Sequence, residues 1–244
     1  MAACESGAER PQLVVGAASS LEPLLSELHD AFEEETGVQL VFSYSASGTL
    51  AQQIRQGAPI DVFASADATF MEGLANDGLV APETVTHFAD GALVMVASID
   101  PPPDPTSLAE DPDVSHVAVA NPELAPYGAA AKRHLEATGQ WSGLASKVVF
   151  SESVRQALQF VRSGNAEAGF VPLSLVSPTP PPGVTVVERV PVSAGALPQT
   201  IGRVAETERA QLADLFIAFL SSDPHAREAL LRFGYAAPES GGAQ

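Results

Sequence analysis

The pattern of apolar and polar positions alternates along the chain between short apolar runs and amphipathic segments with helical spacing. Residues 13–15 and 93–97 are apolar runs typical of buried parallel strands, and residues 60–63, apolar except for Asp61, predict another strand. After the first run, leucines and a phenylalanine recur at helical spacing over residues 21–32, and Gly37 stands where a helix would end. This order of strands and helices predicts an α/β fold built on a doubly wound sheet.

The same alternation returns in the second half of the chain. Strands are predicted at residues 117–120, 148–150, 168–171 and 184–187, and helices at residues 129–138 and 154–161. Two proline-rich tracts, residues 100–105 and 178–183, are predicted to be stiff surface loops. Two α/β sets of this size predict two lobes, each a doubly wound, mostly parallel sheet, with a ligand cleft between them.

Charge and composition limit the function classes that are open to the chain. Its 244 residues include 30 acidic and 12 basic side chains, for a formal net charge of −18. This charge argues against nucleic acid or an anionic membrane surface as a partner and, taken alone, against an anionic ligand. Hydrophobic residues make up 45% of the chain, which excludes intrinsic disorder. No apolar run approaches the ~18 residues of a membrane-spanning helix.

Cys4 is the only cysteine, so a disulfide framework and a cysteine zinc site are both excluded. The sequence Ala-Ala-Cys ending at Cys4 resembles the end of a bacterial lipoprotein signal. We therefore expect Cys4 to be a lipid anchor on the outer side of the cytoplasmic membrane. An unmodified thiol in a frayed terminus is the alternative.

Catalytic motifs are few. The five histidines have no metal-binding spacing, and the chain has neither a nucleophile elbow nor a P-loop. Asp61 and Asp67 are close in sequence, but one is predicted to enter a strand and the other to cap a helix, so they need not converge. A hydrolase or transferase that uses these two aspartates is the alternative hypothesis from a different class.

Polar turns stand between a strand and a helix at four places, residues 17–20, 43–49, 126–128 and 151–153. In an open α/β sheet such turns lie at the carboxyl ends of the strands, where ligands bind. Helix N-termini at this edge offer unpaired N–H groups and the positive end of the helix dipole, which together bind anions. Ser20 is predicted to be the N-cap of its helix, and for each serine a plain capping role is the alternative.

Several segments of the chain resemble the periplasmic molybdate-binding proteins of ABC importers. The segments that carry the resemblance are residues 15–21, 43–51, 57–67, 121–123, 126–128 and 153–158. The run from Ser43 to Asp67 is the most specific, and the resemblance extends from about residue 12 to Tyr235.

The resemblance implies a two-lobed periplasmic-binding-protein fold and a function without catalysis. The protein would be an extracytoplasmic monomer that captures molybdate or tungstate between its lobes, needs no cofactor, and delivers the ion to an ABC permease. After a flexible segment, residues 1–10, one lobe would comprise residues 11–91 with 196–244 and the other residues 92–195. The chain would cross between the lobes near Gly91 and return near residues 193–195.

Specific donors follow from the resemblance, position by position. In that family the oxyanion is held without water by serine hydroxyls and backbone N–H groups. Here these would be the hydroxyl and N–H of Ser20 and Ser47 and the N–H groups of Tyr127 and Val154, with no direct ligation of the metal atom. Some members add a tyrosine hydroxyl where this chain has Pro172, which has neither a hydroxyl nor an N–H. Either this donor is absent, or another group such as Ser153, Ser174 or Tyr127 takes its place. Ser19 and Pro172 itself are the other candidate positions of the shell.

The chemistry of such a shell favours a particular ligand. Molybdate and tungstate are fully deprotonated near neutral pH and only accept hydrogen bonds, so a shell of donors without a carboxylate suits them. Sulfate, phosphate and thiosulfate are the alternative oxyanions, and a ligand-sensing module of a regulator is a further alternative. Arg155, just inside one of the helices, is predicted either to add a positive field or to form a surface ion pair.

Overall fold

The computed structural model describes residues 10–191 and 197–238, which form two mixed β-sheets with flanking helices. The strands of these residues are β1 (Gln12–Ala18), β2 (Gln39–Ser45), β3 (Val62–Ser65), β4 (Thr86–Asp90), β5 (Leu93–Ala97), β6 (Val117–Ala120), β7 (Val148–Ser151), β8 (Ala168–Pro172), β9 (Thr185–Arg189) and β10 (Pro198–Arg203). The helices are α1 (Glu22–Thr36), α2 (Ser47–Arg55), α3 (Thr69–Asn76), α4 (Pro126–Ala137), α5 (Val154–Arg162), α6 (Ala210–Ser222) and α7 (Pro224–Arg232).

The first sheet has the strand order β2-β1-β3-β10-β4. β1 pairs in parallel with β2 and β3, so that Val15 lies between Phe42 and Val62. β10 is antiparallel to both of its neighbours, β3 and β4. Four of the five strands therefore run in one direction, in agreement with the predicted mostly parallel sheet.

The second sheet repeats this plan with the order β7-β6-β8-β5-β9. β6 is parallel to β7 and β8, and β5 is antiparallel to β8 and β9. The two sheets thus have the same architecture, with the reversed strand, β10 or β5, second from one edge. The predicted α/β class and the two sheets are confirmed.

The division of strands between the sheets follows the chain. The first sheet takes β1–β4 and β10, and the second takes β5–β9. The chain crosses from one to the other at Gly91, between β4 and β5. The predicted return at residues 193–195 and the anchor residue Cys4 lie outside the described residues, and the lobe boundaries stay a prediction.

Two strands, β4 and β10, were not predicted. β10 has the sequence Pro-Gln-Thr-Ile-Gly-Arg, in which only Ile201 is a large apolar residue. Its burial comes from its neighbours β3 and β4, so the local pattern gives no strand signal. The prediction was also wrong at one boundary, since β3 begins at Val62 rather than at residue 60.

The helices pack on the sheets through the faces that the sequence predicted. In α1 the side chains of Leu24, Leu25, Leu28 and Phe32 are buried. Gly37 ends this helix with φ of 71°, a left-handed conformation that glycine adopts without steric cost. Among the described residues, none of the helices has the length and apolar character of a membrane-spanning segment.

Candidate functional site

The four residues that the resemblance singled out meet at one small cavity between the two sheets. The cavity is small: the centre of a water-sized sphere has only about 10 Å³ to move in, roughly the room of one water molecule, so drug-sized molecules are excluded. Its size therefore fits a small ion. The residues that line it are Ala18, Ser19, Ser20, Ser45, Ala46, Ser47, Ala66, Ala125, Pro126, Tyr127 and Val154.

Ser20 enters the cavity from a single 3-10 turn, Ser19–Leu21, that joins β1 to α1. The prediction that Ser20 caps α1 was wrong, because α1 begins at Glu22 and Leu21 occupies the cap position. Pro23 accounts for this start, since a residue without an N–H belongs in the first turn of a helix. The Ser20 hydroxyl is buried, and the described residues give it no hydrogen-bond partner. It is therefore free to donate to a ligand.

The backbone of Ser20 is held from two directions. Its carbonyl oxygen accepts a hydrogen bond from the Ser174 hydroxyl at 2.8 Å and another from the Tyr235 hydroxyl at 3.0 Å. Burial raises the pKa of the Tyr235 phenol, so this group stays a neutral donor. Ser174, a candidate for the ligand shell, instead lies outside the cavity lining and fixes the position of Ser20.

Ser47 is the first residue of α2 and is fully buried. Its hydroxyl oxygen accepts a hydrogen bond from the Ala66 N–H at 3.0 Å, which leaves its own proton free to donate into the cavity. Its N–H has no acceptor within α2, because the first N–H groups of a helix lack a carbonyl one turn earlier. Ser47 thus offers two donors from one rigid position.

The second sheet contributes the starts of two helices. Tyr127 is the second residue of α4, and Val154 is the first residue of α5. Their N–H groups have no intrahelical acceptor, and no other backbone acceptor for them is found among the described residues. The predicted start of α4 at residue 129 was wrong, because Pro126 opens the helix three residues earlier.

The side chain of Tyr127 points to the crossing between the sheets. Its hydroxyl lies only 2.0 Å from where a Cβ would stand on Gly91, so this position requires glycine. Burial raises the pKa of the Tyr127 phenol well above its usual value, and the hydroxyl therefore stays protonated.

Of the remaining candidates for the ligand shell, some line the cavity and others do not. Ser19 is buried and lines the cavity. Ser153 lies outside the lining and caps α5, where its hydroxyl accepts from the Gln156 N–H at 3.3 Å. Pro172 ends β8 opposite Leu93 and also lies outside the lining. The sequence reasoning did not single out Ser45 and Ala66, although Ser45 stood in a polar turn and Ala66 in a segment that carries the resemblance.

The cavity is rich in hydrogen-bond donors. None of its described lining residues carries a charge. Four carbonyl groups of the lining already accept protein hydrogen bonds, those of Ser20, Ala46, Ala66 and Ala125. A ligand that only accepts hydrogen bonds suits this surface.

An ion pair joins the two sides next to the cavity. The guanidinium of Arg155, on α5, contacts the carboxylate of Glu22, on α1. Of the two alternatives for Arg155, the structure has the ion pair. The positive charge is balanced within the pair and faces a groove that also includes Ser19 and Ser153.

The chain is similar to bacterial proteins that bind solutes outside the cell. The chain matches the family described as bacterial extracellular solute-binding protein over residues 13–236. It belongs to this family. The molybdate-binding protein ModA of Azotobacter vinelandii is 37% identical over 178 residues, which are 71% of this chain and 69% of the relative. ModA of Escherichia coli is 31% identical over 237 residues, or 93% of this chain and 90% of the relative.

A solved structure supports the same family. The periplasmic molybdate-binding protein of Azotobacter vinelandii superposes with a TM-score of 0.85 at 28% identity, covering 93% of this chain and all of that one. The fold of this solute-binding protein is therefore that of a periplasmic binding protein.

The two aspartates of the alternative hypothesis have structural roles in this solute-binding protein. Asp61 accepts from the Val14 N–H at 2.8 Å and pairs with Arg209, before the start of β3. Asp67 lies beyond the other end of β3, where its carboxylate accepts from the Phe70 N–H at 3.2 Å. Burial raises the pKa of Asp67. The two carboxylates lie at opposite ends of a strand and do not converge.

No cluster of potential metal ligands exists among the described residues.

Proposed function

We propose that this protein captures molybdate or tungstate outside the cytoplasm and delivers the ion to the permease of an ABC importer. The observation that carries the proposal is the meeting of free hydroxyl and N–H donors from both sheets in one neutral cavity. Membership in the solute-binding family and the likeness to molybdate-binding relatives support it.

The proposed shell contains six donors. Ser20 and Ser47 each supply a hydroxyl and an N–H, and Tyr127 and Val154 each supply an N–H. A hydrogen bond to a charged group contributes about 1.5–3 kcal/mol. Six of them supply about 9–18 kcal/mol, a range that includes the roughly 12 kcal/mol of nanomolar binding.

The lack of a carboxylate among the described lining residues supports an oxyanion without a proton. A phosphate that keeps a proton must donate one hydrogen bond, and the carbonyl groups of Ser20 and Ala46 are already engaged. Sulfate carries no proton but is smaller, so it reaches fewer donors of both walls at once. Molybdate and tungstate are close enough in size that the proposal includes both.

Calorimetry against a panel of tetrahedral oxyanions tests the proposal. We expect tight binding of molybdate and tungstate, and weaker binding of sulfate, phosphate and thiosulfate by at least about a hundredfold, which equals roughly 2.7 kcal/mol. Tight binding of sulfate with none of molybdate would assign a different ligand. Because the role is binding rather than catalysis, the ion is expected to be recovered unchanged.

The proposal also includes closure of two lobes around the ion and a lipid anchor on Cys4. The two sides would close as lobes of residues 11–91 with 196–244 and of residues 92–195, in a monomer that binds no nucleic acid. A lipid on Cys4 would hold the protein at the outer face of the cytoplasmic membrane, as its Ala-Ala-Cys sequence suggests. Mass spectrometry of the natural protein from the membrane fraction tests this, and an unmodified Cys4 would contradict the anchor.

A further inference from the structure

Gly48 is a glycine whose own backbone does not require one. It is the buried second residue of α2, and its φ does not lie in the left-handed region. Glycine is among the poorest helix formers, and alanine is the best. The reason for glycine at this position therefore lies outside α2.

The surroundings of Gly48 supply that reason. A Cβ at this position would lie 2.9 Å from the Cα of Leu124 and 3.0 Å from its carbonyl oxygen. It would also lie 2.8 Å from Cζ of Phe70, at the end of a side chain on α3. Phe70 belongs to the same side of the cavity and its ring can rotate away. Leu124 is backbone from the other side, so it moves only if the two sides separate.

The close approach also allows a hydrogen bond between the two sides. The Gly48 N–H donates to the Leu124 carbonyl oxygen at 2.9 Å. Gly48 directly follows Ser47, and Leu124 comes three residues before Tyr127, so the bond lies beside the cavity. It fixes the separation of donors that belong to different sheets. Since hydrogen bonds tolerate only a narrow range of lengths, this separation suits one size of ion.

We propose that Gly48 is the positioning residue that lets the two sides approach until one oxyanion contacts donors from both. The inference rests on the proposed function, because it assumes that an ion occupies the cavity. Gly48 does not bind the ion, since its N–H is held by Leu124. It acts through the spacing of Ser47 and Tyr127. A methyl group at Gly48 destabilises the closed complex, and it therefore speeds release of the ion more than it slows capture.

The test compares two glycine-to-alanine variants by equilibrium dialysis and by the release rate of radiolabelled molybdate. Gly73→Ala is the matched control, because Gly73 also lies inside a helix, α3, and a Cβ there would meet only the end of the Arg55 side chain, at 3.2 Å. We expect Gly48→Ala to raise Kd roughly tenfold or more, mostly through faster release. Gly73→Ala should leave Kd within about twofold of wild type.

A second pair of variants separates the two contacts of the added methyl group. Phe70→Leu removes the ring that touches it, so Gly48→Ala in this background tests Leu124 alone. We expect the double variant to release molybdate as fast as Gly48→Ala does, while Phe70→Leu alone resembles wild type. The melting temperature without ligand reports whether each variant folds. If Gly48→Ala lowers it, the decisive comparison is between Phe70→Leu alone and Phe70→Leu combined with Gly48→Ala.

Two outcomes would overturn the inference. One is wild-type release from Gly48→Ala, and the other is recovery of wild-type release in the double variant. If the wild-type protein itself binds neither molybdate nor tungstate, the proposed function fails instead, so the two failures are distinguishable.

Discussion

The two walls of the cavity are built from different chemical groups. The first-sheet wall presents the hydroxyls of Ser20 and Ser47 as well as N–H groups. The second-sheet wall offers its ligand the N–H groups of Tyr127 and Val154, at the starts of α4 and α5. A hydroxyl is removed by one ordinary substitution, whereas a backbone N–H is removed only by proline.

This difference determines on which wall a single side-chain substitution changes the affinity for the ion. On the first-sheet wall, the affinity depends on side-chain identity. On the second-sheet wall, it depends on where a helix begins, a property set by caps such as Ser153 and by Pro126. The following predictions are ordered by expected effect and test whether the walls differ in this way.

Removal of both hydroxyls from the first-sheet wall should have the largest effect. Each lost hydrogen bond to the ion costs about 1.5–3 kcal/mol, so Ser20→Ala with Ser47→Ala should cost roughly 3–6 kcal/mol of binding. Calorimetry with molybdate measures the change. Ser43→Ala, at an exposed position of the preceding strand, is the control. Unchanged affinity of the double variant would refute the assignment of both serines.

Removal of one N–H from the second-sheet wall should have an intermediate effect. Proline is tolerated at the first position of a helix, and Ser153, with φ of −150° and ψ of 161°, already has the extended conformation that precedes proline. Val154→Pro should therefore keep α5 and weaken binding by about 1.5–3 kcal/mol. Val154→Ala keeps the N–H and should lose clearly less. Equal losses in the two variants would mean that the side chain, and not the N–H, matters.

The two serines should differ in their effect on stability. Ser47→Ala leaves the buried Ala66 N–H without its acceptor, which costs about 1–3 kcal/mol. Without ligand, its melting temperature should therefore fall by roughly 2–12 °C. Ser20→Ala should leave it unchanged, because the described residues give the Ser20 hydroxyl no hydrogen-bond partner to lose. A comparable fall in Ser20→Ala would reveal a partner for that hydroxyl in the unliganded protein.

Salt should have the smallest effect, and on the rate of capture rather than on the complex. The net charge of −18 belongs to the exterior, while the cavity lining is neutral. An acidic exterior repels a dianion, and salt screens that repulsion over about 10 Å at 0.1 M. The association rate, measured by stopped flow, should rise with ionic strength. A rate that falls with added salt would indicate a positively charged entrance.

The sequence predicted the parts of the site that depend on local order. A strand followed by a polar turn and a helix is a local pattern, and it predicted that Ser47 and Val154 lie at the carboxyl edges of their sheets. The surroundings of Ser20 could not be predicted: it does not cap α1 but lies in a 3-10 turn, and its backbone is held by Ser174 and Tyr235, which are far away in sequence. β10 was missed for the same reason, since its burial depends on tertiary neighbours rather than on its own residues.

The position of β10 inside the first sheet has a consequence for folding. All five strands of the second sheet come from one continuous stretch of chain, whereas the first sheet needs a strand that follows that stretch. The second sheet can therefore assemble before the first sheet is complete. The first sheet needs β10, and pairing between strands so far apart in sequence forms slowly. Until β10 arrives, β3 has an unpaired edge, which makes the half-folded chain prone to pair with other chains. The interval between synthesis of β3 and arrival of β10 is thus the period in which this protein most needs protection from aggregation.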